Sequence, residues 1–157
     1  MIITAWRITK RKYKEVAFTG EGAEESGGRW NSEGTRIVYA SSSISLAILE
    51  ILVNLQDDKI LSTYDVIPFH FSDNLIESLD VKGLPEDWAA SPSSLSAKSI
   101  GDEWVQSKTS LILEVPSVVV PSEINYLINP SHADFVQITY DDPIPLPLDE
   151  RLIGLLN

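Results

Sequence analysis

The spacing of apolar residues near the start of the chain predicts two strands followed by an amphipathic helix. Residues 2–8 have the β-branched and aromatic content of a strand, in which Arg7 is the only charge. Residues 35–40 alternate between two faces, as in a second strand, with Tyr39 on one of them. Three serines at positions 41–43 then supply an N-cap for the helix that the sequence ISLAILEILVNL predicts.

Glu50 is the only charge of this predicted helix before Asp57. Helical spacing places it on a stripe with Ser43, Ala47 and Asn54, while the leucines and isoleucines lie elsewhere around the helix. Such a stripe is most often the solvent-exposed face of a helix, and the periodicity alone favours that interpretation. A functional role for Glu50 requires the stripe to face a cavity instead.

The remaining pattern predicts more strands than helices. A strand at 64–71 contains Pro68, which suggests a sheet edge or a bulge, and the apolar strand at 109–120 must bend at Pro116. The other segments predict a mobile, glycine-rich loop at 20–28, a brief helix at 74–79, a connecting loop at 83–99, a helix at 99–107, a strand at 134–140 and a short helix at 149–156. This mixed order predicts an α+β fold: one compact domain, residues 1–157, with mixed, mainly antiparallel sheets and flanking helices.

Composition and charge narrow the classes of function. The length of 157 residues fits one domain with a real core. With 12 Lys plus Arg against 23 Asp plus Glu, the formal net charge is -11, which argues against direct binding of nucleic acid. The absence of cysteine excludes disulfides, thiol nucleophiles and thiolate metal sites. No secretory signal or membrane-spanning apolar run is recognisable, so we expect a cytoplasmic protein that does not enter a membrane.

The motifs argue against the common kinds of hydrolytic and phosphate-binding site. His70 and His132 are far apart and lack the H-E-x-x-H pattern, so no metal site is expected. No phosphate-binding loop of the form G-x-x-x-x-G-K-[ST] occurs. Ser117 follows a strand break, but it lacks an assisting histidine and the G-x-S-x-G sequence. It is therefore expected to form hydrogen bonds and not to act as a nucleophile.

Four side chains remain as candidates for catalysis: Arg29, Tyr39, Glu50 and Ser117. Arg29 follows two glycines that let a ligand approach the main chain, and its guanidinium can bind phosphate oxygens in a bidentate way. Tyr39 can stack on an aromatic ring. Glu50 can bind a ribose hydroxyl and offset the positive charge of an oxocarbenium-like transition state. This set suits a charged nucleotide, but the residues alone do not specify a reaction.

A combination of short motifs along most of the chain resembles a known family. The motifs are WRI at 6–8, GGRWN at 27–31, IVYASSSISLAILEIL at 37–52, GDEW at 101–104, VPSVVVP at 115–121 and NYLINPSHADF at 125–135. In wording, order and separation they resemble the RES-domain toxins, the toxin half of bacterial RES-Xre toxin-antitoxin pairs. One departure is Trp6, which stands where the family pattern leads us to expect a tyrosine before Arg7.

The resemblance implies a fold similar to the ADP-ribosyltransferase toxins, in which NAD is bound and its nicotinamide-ribose bond is broken. The arginine, glutamate and serine that give the family its name fall here on Arg29, Glu50 and Ser117. Tyr39 corresponds to the tyrosine of the superfamily's Arg-Tyr-Glu arrangement.

The resemblance also implies a role for each of these residues. Glu50 would position the nicotinamide ribose and stabilise the oxocarbenium, and Arg29 would contact the NAD phosphates or ribose. Tyr39 would pack on nicotinamide, and Ser117 would form hydrogen bonds in the pocket. Further NAD contacts are expected from Arg7, Trp30, Asn31 and Asn129.

The implied function is a toxin that depletes cellular NAD by hydrolysis or phosphorolysis and arrests growth, with NAD as substrate and no separate cofactor. Two alternatives stay open: transfer of ADP-ribose to a host protein, and a non-catalytic module that binds an antitoxin. The implied partner is an Xre-type antitoxin whose helix-turn-helix binds DNA, which agrees with the acidic charge of this chain. The resemblance also admits a homodimer of the toxin within the toxin-antitoxin complex.

Overall fold

The computed structural model describes residues 1–146 and 148–153, and within them eight strands form one sheet. The strands are β1 (Ile2–Lys10), β2 (Val38–Ser41), β3 (Tyr64–Ser72), β4 (Ile76–Ser78), β5 (Ile112–Pro116), β6 (Ile124–Ile128), β7 (Thr139–Tyr140) and β8 (Ile144–Pro145). Their order across the sheet is β4, β5, β6, β2, β1, β3 and β7, and β8 also pairs with β3. Every pairing is antiparallel except that of β4 with β5, so the predicted α+β class with a mainly antiparallel sheet is confirmed.

The two longest strands, β1 and β3, pair along their whole length from Ile2 opposite Ser72 to Lys10 opposite Tyr64. On the other side of β3, the short strands β7 and β8 leave a gap between them, and Pro68 lies in that gap. Because proline has no N–H to donate, this position loses no ladder hydrogen bond. Pro68 therefore marks a local break in pairing and not the edge strand of the sheet.

In the described part of the chain, three helices accompany the sheet: α1 (Glu21–Ser26), α2 (Ile44–Leu52) and α3 (Leu95–Ser107). The predicted serine cap of α2 is confirmed, since Oγ of Ser43 accepts a hydrogen bond from the backbone N–H of Leu46. Ser94 caps α3 in the same way through the N–H of Ala97. Short 3-10 turns lie at Arg11–Val16, Asp58–Thr63, Asp73–Leu75, Val81–Gly83, Ala133–Gln137 and Glu150–Leu152.

The apolar faces of α2 and α3 anchor both helices in the core. Leu52 of α2 shares a buried cluster with Ile8 of β1, and Trp104 of α3 shares another with Leu127 of β6. A third cluster contains the fully buried Phe69 of β3. Burying a side chain of this size stabilises the fold by roughly 1.5–3 kcal/mol. The apolar contacts of α2 leave its polar stripe free to face another part of the molecule.

Several predicted elements are wrong in type or extent. The region 74–79 is not a helix: after a 3-10 turn it forms β4, because Ile76 can pair parallel to Ile112 of β5. The strand predicted at 134–140 is a 3-10 turn followed by the two residues of β7. The glycine-rich stretch 20–28 contains α1, the loop predicted at 83–99 ends where α3 begins at Leu95, and β6 was not predicted. The predicted helix at 149–156 is a 3-10 turn at Glu150–Leu152, and its last three residues lie outside the described residues.

Within the described ranges, no helix is both long enough and apolar enough to cross a bilayer.

Candidate active site

A cleft of about 1020 Å³ opens between β1, β2, α2 and the turn that precedes β2. Four of the predicted site residues line it, each from a different element: Arg7 from β1, Arg29 from the turn, Tyr39 from β2 and Glu50 from α2. The fold thus brings together side chains that are far apart along the chain. A cleft of this volume is large enough for a ligand of dinucleotide size.

Glu50 faces this cleft and not bulk solvent. Ala47, Glu50 and Asn54, which share the polar stripe of the helix sequence, all line the cleft. The exposed-face interpretation that periodicity alone favours is therefore wrong for Ala47, which is buried, and for Glu50, which is half-buried, whereas Asn54 at the end of the stripe is exposed. The cause is tertiary structure, because residues 118, 119 and 125, which are remote in sequence from α2, form another wall of the same cleft.

Two hydrogen bonds hold one oxygen of the Glu50 carboxylate. Oγ of Ser117 donates to Oε1 over 2.6 Å, and Nδ2 of Asn125 donates to the same oxygen over 2.7 Å. Oε2 accepts no hydrogen bond from the described residues. Hydrogen bonds to a charged acceptor are short and strong, so these two fix the carboxylate and leave its second oxygen free for a ligand.

Ser117 supports Glu50 from behind and does not line the cleft. Its side chain is 0% exposed, and its Oγ accepts hydrogen bonds from the backbone N–H groups of Val119 and Val120. These two contacts fix the hydroxyl so that its own proton points at Glu50. The prediction that Ser117 forms hydrogen bonds within the site is confirmed.

Arg29 is held by one nitrogen of its guanidinium. Nη1 donates to the carbonyl oxygens of Trp88 and Ala90, over 2.9 and 2.8 Å. Its Nε and Nη2 donate to no acceptor among the described residues. Because Arg29 also lines the cleft, this geometry leaves donors of a fixed positive group available to an anion.

Tyr39 offers its ring to the cleft while its hydroxyl is bound on the other side. The hydroxyl donates to Oδ1 of Asn31 over 2.6 Å and accepts from the backbone N–H of Trp30 over 3.0 Å. Burial raises the pKa of Tyr39 well above its usual value, so the hydroxyl stays protonated. A Cβ on Gly28 would lie 2.7 Å from this hydroxyl oxygen, so the sequence needs a glycine there.

Arg7 brings a second positive charge into the cleft without an acidic partner. Nε donates to the carbonyl of Ala17 and Nη1 to the carbonyl of Tyr39, each over 3.1 Å. Arg7 forms no ion pair with a carboxylate in the described part of the chain. Desolvation by burial lowers the pKa of Arg7 to about 10, which reflects a charge that lacks compensation in the free protein.

Most of this chain matches the model of a known protein family. The model of the RES domain matches residues 4–149 of the chain. The chain belongs to the RES domain family.

Two relatives of similar sequence carry names that bear on function. A protein named Toxin Res from Yersinia enterocolitica is 40% identical over 148 residues, which cover 94% of this chain and 97% of the relative. A protein named Prs ADP-ribosylating toxin from Sphingobium is 40% identical over 139 residues, which cover 85% of this chain and 86% of the relative.

A solved structure shows the same fold as this RES domain. The crystal structure of the M. tuberculosis MbcT-MbcA toxin-antitoxin complex aligns with a TM-score of 0.78 and 18% sequence identity. The alignment covers 97% of this chain and 87% of the other.

Three residues that the family resemblance suggested as NAD contacts do not line the cleft of this RES domain. Trp30 is 3% exposed and stacks on Trp88 with 6.0 Å between ring centroids. Asn31 is fully buried, and its Nδ2 donates to three carbonyls, those of residues 23, 32 and 35. Asn129 binds the carbonyl of Val105 and the N–H of residue 131. Their contacts indicate a structural role, and the expectation of direct ligand contact does not fit their burial.

Two residues of the cleft were missed by the sequence reasoning. Asn125 lines the cleft and binds Glu50, and Oγ of Ser41 donates to Oδ1 of Asn125 over 2.7 Å. The register explains the second contact, since Ser41 lies opposite Asn125 in the β2–β6 pairing. The sequence contains a signal for each of them: Asn125 is the first residue of the NYLINP motif, and Ser41 lies two residues after Tyr39.

His70 and His132 do not line the cleft. Nδ1 of His70 is 2.9 Å from Oγ1 of Thr4, and its Nε2 is 3.0 Å from a carboxylate oxygen of Asp141. Nδ1 of His132 accepts the N–H of Asp134 at the start of a 3-10 turn. In the described residues, no group of three or more His, Asp or Glu side chains is arranged to hold a metal ion.

Proposed function

We propose that this RES domain is the toxin of a toxin-antitoxin pair and that it breaks the nicotinamide-ribose bond of NAD. The observation that carries the proposal is Glu50, whose Oε1 is fixed by Ser117 and Asn125 while Oε2 is free in a cleft that also holds Arg7 and Arg29. The names of the relatives, Toxin Res and Prs ADP-ribosylating toxin, support the same class of chemistry. NAD is the substrate in this proposal, and no separate cofactor is required.

Glu50 acts on the ribose. Its free Oε2 accepts a hydrogen bond from a ribose hydroxyl, and its negative charge lies close to the ring carbon that becomes positive. When the bond to nicotinamide breaks, the electron pair leaves with the ring nitrogen, so nicotinamide departs neutral and the ribose becomes an oxocarbenium ion. A fixed carboxylate stabilises that cation more than it stabilises the ground state, which lowers the barrier.

Arg7 and Arg29 bind the diphosphate. Each guanidinium uses its protein hydrogen bonds for positioning, and Arg29 keeps Nε and Nη2 free for phosphate oxygens. An anionic ligand would supply the compensation that Arg7 lacks in the free protein. The ring of Tyr39 packs on nicotinamide, and its hydroxyl stays bound to Asn31.

The acceptor of the ADP-ribosyl group distinguishes the leading proposal from its alternative. Water gives ADP-ribose, inorganic phosphate gives a phosphorylated ADP-ribose, and each acceptor loses one proton to solvent as the new bond forms. Transfer to a protein is the second candidate, favoured by the relative named Prs ADP-ribosylating toxin. A purely non-catalytic, antitoxin-binding role does not explain why the whole polar set of the cleft is present.

An antitoxin holds this toxin inactive in the proposal. The support is the solved complex of similar fold, in which a toxin is bound to an antitoxin. We propose a partner of the Xre type that carries the DNA binding, in agreement with the net charge of -11 on this chain, and a cytoplasmic site of action, where NAD is available. A toxin homodimer within that complex stays a prediction, tested by the mass of the complex after co-expression with the antitoxin.

The test is product analysis with the purified, antitoxin-free chain. NAD is supplied with and without phosphate, and radiolabelled NAD is added to a cell lysate in a parallel reaction. Free nicotinamide with ADP-ribose, or with its phosphorylated form, supports NAD depletion, whereas a labelled protein band supports transfer to a protein. No loss of NAD in any arm, from a chain shown to be folded, would reject the proposed chemistry.

A further inference from the structure

The segment 27–32, which carries Arg29, has little backbone support of its own. One hydrogen bond, from the N–H of Gly28 to the carbonyl of Asn31 over 3.0 Å, closes it as an isolated bridge. Gly27 at its start has a φ of 69°, in the region that favours glycine. A turn of this kind needs contacts from outside to hold a side chain in a fixed position.

Lys98 of α3 supplies such a contact. Its Nζ donates to the carbonyl of Gly28 over 2.7 Å and lies 3.4 Å from the carbonyl of Asn31. Lys98 is half-buried and forms no ion pair with a carboxylate among the described residues. The ammonium therefore directs its charge-assisted hydrogen bonds to the two ends of the bridge in this turn.

The next positions on the same face of α3 hold the rest of the segment. Asp102, four residues after Lys98, accepts the N–H of Ser32 through Oδ1 over 2.9 Å. Between them, Gly101 lies so close to the turn that an added Cβ would be 1.7 Å from the carbonyl oxygen of Trp30. One helix face thus holds the turn from Gly28 to Ser32 by three hydrogen bonds from two polar side chains and by one close packing contact.

We propose that Lys98 is a positioning residue for Arg29. The inference rests on the proposed function, because NAD is the ligand through which positioning is measured. Lys98 does not line the cleft itself, and its Nζ lies 3.4 Å from the place where a Cβ on Gly27 would be, behind the cleft wall. By fixing the carbonyl of Gly28, it fixes the chain at the residue before Arg29, and Nη1 of Arg29 then reaches the carbonyls of Trp88 and Ala90.

The kinetic test compares four variants with the parent. Lys98→Met should raise KM for NAD roughly tenfold, the loss expected for a hydrogen bond that involves a charged group, with little change in kcat. KM should change and kcat should not, because in the proposed function Arg29 binds phosphate and does not touch the bond that breaks. Lys98→Arg and Lys98→Gln, which keep a donor, should restore much of the affinity, and Lys82→Gln on an exposed turn should behave as the parent. Equal KM values for Lys98→Met and the parent would overturn the proposal.

A double-mutant cycle separates positioning from direct ligand contact. In an Arg29→Gln background, Lys98→Met should cause no further rise in KM, because the residue through which it acts is gone. If the two effects multiply instead, Lys98 acts on the ligand or the fold by itself, and the positioning role is refuted.

A third readout does not depend on NAD turnover. Amide hydrogen exchange at Gly28, whose N–H closes the turn, should become faster in Lys98→Met than in the parent, while exchange in the β1–β3 pairing stays the same. Unchanged exchange at Gly28 would overturn the inference even if the kinetics agreed. Failure of the folded parent to release nicotinamide would refute the proposed function, and the exchange experiment would still decide the role of Lys98 in the turn.

Discussion

Replacing Ser117 with alanine removes one of the two hydrogen bonds that fix Oε1 of Glu50. Ser117 is buried, so water cannot replace the lost donor without entering the core. Asn125 continues to hold the same oxygen, and the carboxylate therefore stays in the cleft but can rotate about that remaining contact. We expect the catalytic step to suffer more than NAD binding.

The magnitude follows from the contacts. A hydrogen bond to a charged group contributes about 1.5–3 kcal/mol, and with Asn125 still in place the lower value is appropriate, which corresponds to roughly a tenfold fall in kcat. The substitution also removes the acceptor of the N–H groups of Val119 and Val120, which are only partly buried. Loss of these two hydrogen bonds should lower the free energy of unfolding by about 1–2 kcal/mol.

The assay is nicotinamide release at saturating NAD, with urea unfolding measured on the same samples. Ser99→Ala is the matched control, because Ser99 is an exposed serine of α3 whose hydroxyl binds the carbonyl of Leu95. A folded Ser117→Ala variant with the kcat of the parent would refute the reasoning. A fall in kcat that matched only the fraction of unfolded protein would refute it as well.

Three further substitutions test the cleft and the packing behind it. Gly101→Ala puts a methyl group 1.7 Å from the carbonyl oxygen of Trp30, so urea unfolding should show a loss of about 1–3 kcal/mol. Gly22→Ala, at a position with open space around it, should not lower the free energy of unfolding. Equal stability of the two variants would contradict the close packing of Gly101 on Trp30. Tyr39→Phe removes a hydroxyl whose pKa is raised in the folded parent. The contribution of this shift to the free energy of unfolding is complete below the ordinary tyrosine pKa of about 10 and declines above it. The difference in free energy of unfolding between parent and Tyr39→Phe should therefore shrink as pH rises past about 10. A constant difference up to about pH 11 would argue against a raised pKa of Tyr39 in the folded protein. Arg7→Met should weaken binding of ADP-ribose roughly tenfold in calorimetry with little change in urea midpoint, because relief of desolvation offsets the two lost hydrogen bonds. Unchanged affinity would show that Arg7 does not bind the anion.

Local signals in the sequence were sufficient for the elements next to Glu50. The serines before α2 predicted its start, and Ser43 is the cap; the alternation around Tyr39 predicted β2. These features depend on residues within one or two turns of each other, which is the range over which propensity and capping act. The family motifs then added what periodicity could not, the assignment of Glu50 to the site.

The rest of the site depends on contacts between residues remote in sequence. Glu50 binds Ser117 and Asn125, which are 67 and 75 positions away, so the environment of its helix face is set by strands that form much later in the chain. The strand β6 escaped prediction because its short apolar run lies just before the Asn129-Pro130 pair, which reads as a turn. Burial of Asn31 could not be read from its type, since asparagine is usually exposed, and here four hydrogen bonds compensate it.

The central claim is that the Glu50 carboxylate in this cleft breaks the bond between nicotinamide and ribose. The most direct measurement is nicotinamide release from NAD by the isolated chain beside its Glu50→Gln variant, with folding of both checked by circular dichroism. Glutamine keeps the size and can still meet Ser117 and Asn125, but it lacks the negative charge that stabilises the oxocarbenium. The account predicts release by the parent and none by the variant. Equal release by both proteins, or none from a folded, antitoxin-free parent, would contradict it.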